Sequence, residues 1–124
     1  MPITQPIPQV TADDVERVVR RDFSADDYAT VITILNDYGT ENWHRERIRV
    51  QLAALKLANA NVEKLRACIE AAKRDYRDAL VAAEYPAYHG IAWTRGFRDI
   101  PNEEKARIIE SDWRQYEEWL KKVV

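Results

Sequence analysis

His44, Arg47 and Gln51 stand at the spacing i, i+3, i+7, which lines three side chains along one face of a helix. Their chemistry is varied. An imidazole exchanges a proton near neutral pH, a guanidinium forks onto a carboxylate or another anion, and an amide both donates and accepts. At about 100° per residue, the row runs through an apolar arc that includes Ile48, Leu52 and Leu55, away from the polar arc shared by Arg45, Arg49 and Lys56. A carboxylate is also out of place on a second stripe. Asp112 falls between Ile108 and Trp119, near the middle of the last apolar arc of the chain. A buried carboxylate needs a cation or several donors. Two arrangements satisfy these residues. In the structural one, Arg47 forks onto Asp112, and His44 or Gln51 completes the network. In the chemical one, His44 and Asp112 form a proton-transfer pair and are the catalytic candidates, while Arg47 and Gln51 hold an anionic group in a polar pocket.

A different kind of candidate lies in YPAYHGIAWTRGF, residues 85–97. Tyr85, Tyr88, His89, Trp93, Arg95 and Phe97 are the candidate binding residues here, with Arg98 next to them. One expectation is a lid, in which Tyr85, Trp93 and Phe97 plug the end of a bundle with large buried rings. The other is a recognition surface, because aromatics beside arginine are enriched at protein–protein hot spots. Stacking on single-stranded nucleic acid uses the same residue types, but Asp99, Glu103 and Glu104 follow directly and oppose that field.

Several chemistries find no support. The two histidines, His44 and His89, open no H-E-x-x-H pattern. Glu41 and His44 have a Glu-x-x-His spacing without a second pair for a two-metal bundle. The expectation is therefore no metal and no cofactor. The single cysteine, Cys68, can form no internal disulfide, and the three glycines are too scattered for a phosphate loop. A formal net charge of −2, with both signs interspersed, argues against a broad nucleic-acid footprint. The N-terminus lacks the pattern of a signal peptide and no apolar run reaches membrane-spanning length. The expected location is cytoplasmic.

These residues need a scaffold, and the sequence predicts an all-α one. The chain has 124 residues, one ordinary domain that buries about two-thirds of its unfolded surface. Residues 1–10 hold three prolines and no period, predicting an extended tail before a single helical domain over 11–124. Thr11 and Ser24, each followed three residues later by an aspartate, mark two helix starts. Gly39 suits a left-handed helix end. A central helix is expected over 41–58, apolar nearly all round, then a long one over 62–84 with Asn61 as its cap. Pro86 breaks that helix or starts a new turn, the aromatic connection follows, with a short helix around Pro86–His89 as one reading of part of it, and a last helix runs from 101 to about 122. The sum is a bundle of about five helices.

Three segments, WHRERIRVQLAALKL (43–57), DYRDALVAAEYPAY (75–88) and IIESDWRQYEEWL (108–120), resemble segments of short uncharacterised bacterial proteins. The resemblance implies a small bacterial helical protein and carries no activity, ligand or partner with it. The reading of function is a non-enzymatic interaction module, an adaptor, regulator or immunity-type protein that binds another protein or itself. The alternative is a small enzyme or ligand-binding bundle with its pocket around His44, Arg47 and Asp112.

Overall fold

The computed structural model describes residues 7–41, 44–95 and 100–122, with residues 91–95 described by their backbone. The described residues are all-helical, with no strand. The α-helices are α1 (Ala12–Asp22), α2 (Tyr28–Asn36), α3 (Arg47–Ala58), α4 (Val62–Arg74), α5 (Tyr76–Glu84), α6 (Pro86–Arg95) and α7 (Asn102–Lys121). No described helix is long and apolar enough to cross a membrane.

The helix starts follow local capping. The Thr11 amide donates to Asp14 Oδ2 at 2.9 Å, Asn61 Oδ1 accepts from the Lys64 amide at 2.9 Å, and Ser24 Oγ accepts from the Asp27 amide at 3.3 Å at the start of a 3-10 turn, Ala25–Asp27, that leads into α2. Each satisfies an amide that the helix start itself leaves open. In the N-terminal segment, Pro8 is buried and Val10 packs against the core.

Three elements depart from the expected pattern. The third helix begins at Arg47 rather than near residue 41. Residues 44–46 turn instead, because local groups there bond to each other. Tyr38 stacks on His44 with ring centroids 4.7 Å apart, and its hydroxyl donates to the Arg45 carbonyl at 2.5 Å. The expected 62–84 helix is broken at Asp75 into α4 and α5. Asp75 adopts an extended conformation (φ −154°, ψ 102°). Its carboxylate takes the Arg77 amide at 3.1 Å and the Arg77 guanidinium at 3.0 and 3.1 Å. An aspartate that bonds nearby backbone competes with the helix it would otherwise continue. The aromatic connection is itself largely helical, forming α6. Pro86 is its first residue, the position where a missing N–H costs nothing.

Helix α3 packs against α1, α4 and α5. It buries Val50, Gln51, Leu52, Ala53, Ala54, Leu55 and Ala58, and each fully buried leucine contributes roughly 1.5–3 kcal/mol. The core around it takes residues from α1 through α5, and Tyr116 and Leu120 from the end of α7. That end is held by α1. Arg17 donates to the Leu120 carbonyl at 2.7 Å, and Arg21 to the carbonyls of Trp119 at 2.6 Å and Lys122 at 3.0 Å. Cations on the last carbonyls of a helix also complement its dipole. Tyr85, Ile100 and Ile109 are buried outside this core, where α6 packs on α5 and α7.

Candidate functional site

Asp112 is 2% exposed. Its Oδ1 accepts the Ala87 amide at 3.1 Å and its Oδ2 the Tyr88 amide at 2.8 Å. These are amides of the first turn of α6, which no carbonyl inside α6 can reach. The residue in front of Pro86 is Tyr85, whose ring offers that turn no short capping oxygen. Asp112 supplies the cap from α7, 24 residues along the chain. Its negative charge also sits at the positive end of the α6 dipole. Gln115, one turn on, donates to the carbonyls of Ala83 at 3.2 Å and Asp112 at 2.9 Å. The α5–α6 junction is thus stitched to one face of α7.

The row on α3 bonds elsewhere, to the end of α2. Gln51, 3% exposed, donates to the Leu35 carbonyl at 2.9 Å. Arg47 donates to Asn36 Oδ1 at 3.1 Å, and its side chain lies against Gly39, whose φ is +106°. His44 Nδ1 accepts the amides of Gly39 at 3.0 Å and Glu41 at 3.3 Å. A nitrogen that accepts two N–H bonds carries no proton itself. The structure therefore brings His44, Arg47 and Gln51 together as a lace over the end of α2, and places Asp112 at the start of α6. Among the described residues the Arg47 guanidinium forms no ion pair with a carboxylate, and its side-chain partner is Asn36.

On the polar arc, Arg49 and Lys56 are half-buried. Arg49 donates to Glu84 through Nε at 3.2 Å and Nη2 at 2.7 Å, and to Glu46 at 3.2 Å. Glu84 is 3% exposed. Burial raises the Glu84 carboxyl above its ordinary value, and the Arg49 bonds offset only part of that. Burial lowers the Arg49 guanidinium, but Glu84 and Glu46 together outweigh it and leave the group raised. The cation that feels Asp112 is Lys56 on this same arc. Burial pulls its amine below the usual lysine range and the Asp112 charge opposes that. Helix α3 is packed on several sides, and Arg49 reaches along it to the buried acid at the end of α5. Glu84 was not among the expected site residues, although it stands four residues after Leu80 at the edge of the inward stripe.

In the aromatic segment, Tyr85 is buried, Tyr88 half-buried and His89 exposed. Burial pushes the Tyr85 phenol up to about 12. Trp43, Phe97 and Arg98 lie outside the described residues, as do the side chains of Trp93 and Arg95. Cys68 is a half-buried free thiol, raised by burial. Among the described residues no group of three or more His, Cys, Asp or Glu side chains could hold a metal. A surface cavity of about 550 Å³ lies between α2 and α4, around Thr33, Asp37 and Arg66. Another of about 350 Å³ lies between residues 7–10 and the start of α3, including Arg47. Neither is lined by His44 or Asp112.

No protein-family model matches the chain, and no curated protein or solved structure matches it.

Proposed function

We propose that the chain is a non-enzymatic, cytoplasmic protein-interaction module, and that its contact surface for another protein is built on the outer face of α6. The observation that supports this most is the state of Asp112, the one acid on the apolar stripe of α7. Both of its oxygens accept backbone amides, so the group a proton-transfer site needs is engaged in holding α6 in place. Support also comes from the row on α3, where Gln51, Arg47 and His44 are bonded to the end of α2. A buried charge that holds one helix in a fixed orientation outside the main core pre-orients its outer face in the closed state, which lowers the entropic cost of binding. Pro86, Ala87, His89 and Gly90 are exposed along it.

The test is a substitution that blocks the face without disturbing the fold. A side chain at Gly90 starts into open space, with nothing within 4 Å of a Cβ. Gly90→Arg plants a bulky cation there, and Ala71→Arg, on the exposed face of α4, is the control. Affinity capture from the source cells, read by mass spectrometry, should lose a protein with Gly90→Arg and retain it with Ala71→Arg. Identical captured sets for both variants and the parent chain would count against α6 as the contact surface.

A further inference from the structure

We propose that α6 is a latched element: it opens from the face of α5 and α7 as a unit while the other helices stay folded, and Asp112 is the latch. This stands on observations independent of any partner. The first is the weakness of α6 by itself. It has ten residues, below the length at which an isolated helix persists in water. It carries an exposed glycine near its middle, Gly90, the poorest helix former after proline. The second is where its support comes from. Its first-turn amides bond to Asp112, on another helix. Removing that contact takes from the N-terminal end of α6 two bonds that are supplied from outside it. The third is its position. Helix α6 packs on α5 and α7, and Tyr85, Ile100 and Ile109 are buried outside the core that unites α1 to α5 with the end of α7. A short helix of weak intrinsic preference, packed outside the main core, opens at lower free energy than the core helices do. Opening would uncover Asp112 and the Tyr85–Ile109 surface and leave the α3-centred core intact.

Native-state amide exchange of the full chain, followed by NMR across low urea concentrations, decides this. The amides of residues 90–95 should exchange at least tenfold faster than the slowest amides of α3, with a shallower urea dependence, because a local opening exposes less surface. Gly90→Ala fits without contact and should slow the α6 amides about fivefold, the factor that corresponds to the helix-propensity difference between glycine and alanine. Asp112→Asn should quicken them about five- to thirtyfold at low urea, the range that corresponds to losing one charged-acceptor hydrogen bond. If the α6 amides share both the rate and the urea slope of α3, α6 opens only with the whole molecule and the proposal is overturned. Unchanged α6 exchange in Asp112→Asn would overturn the assignment of the latch. Neither outcome depends on capture of a partner, so this idea and the proposed contact surface can fail separately.

Discussion

Replacing Asp112 by alanine removes two hydrogen bonds to an ionised acceptor at once. Bonds of that kind contribute about 1.5–3 kcal/mol each. The two sites differ, however. Ala87 is exposed, so water can take over its amide and the loss there falls to the low end. Tyr88 is half-buried, so its amide is resolvated less completely. The sum is a destabilisation of about 2–4 kcal/mol, above the roughly 0.5–2 kcal/mol of an ordinary surface N-cap. Lys56 would partly offset nothing, since it then loses the charge that opposes its own desolvation. Asp112→Asn keeps one acceptor oxygen and should cost about half as much. The assay is urea unfolding followed by far-UV circular dichroism and tryptophan fluorescence, compared at equal denaturant slope. A loss below about 0.5 kcal/mol for Asp112→Ala, the range of an unremarkable surface substitution, would refute the capping argument.

The other predictions concern the remaining polar positions. Arg49→Met strands the Glu84 carboxylate and should cost about 3–5 kcal/mol, while the double change Arg49→Met with Glu84→Leu should recover most of it, as read by the same unfolding curves. Gly39→Ala places a Cβ 2.8 Å from Arg47 Cδ at a φ of +106°, and should cost at least about 1 kcal/mol from backbone strain alone. The phenols of Tyr85 and Tyr116 are raised by burial, Tyr85 to about 12. Because the folded state holds those protons more tightly than the unfolded chain, their contribution to stability is complete below the ordinary value of 10.0 and is lost as pH rises through the folded value. Ultraviolet titration should show these two tyrosines ionising last, and a Tyr85→Phe variant should lose its share of the steepness of alkaline unfolding.

Much of the scaffold was legible because it is written locally. Thr11, Ser24 and Asn61 declare helix starts with side chains that reach only three residues, and the valines at 15, 18 and 19 declare an inward face at helical spacing. The break at Asp75 was not legible, because Tyr76, Leu80 and Ala83 continue the stripe of Val62, Leu65 and Ile69 across it. Only the bond between Asp75 and Arg77 interrupts the backbone. The helicity of 86–95 was legible only at its start, around Pro86–His89. Gly90 weakens the rest, and the group that holds the first turn is a distant one. The burial of Asp112 followed from its place on the wheel. Its partner did not, because side-chain patterns identify other side chains, and this carboxylate bonds to main chain. For Arg47 and Gln51 the shared line was legible, and the end of α2 as their common target was not, since one accepting group is the Leu35 carbonyl.

The central claim is that the acid of α7 is a cap and not part of a reactive pair with His44. The ¹H–¹⁵N spectrum of Asp112→Asn against the parent chain tests it most directly. The largest amide shift changes should fall on Ala87 and Tyr88, with residues 44–51 nearly unmoved. Unmoved amides at 87 and 88, together with large changes at His44 and Arg47, would contradict the account.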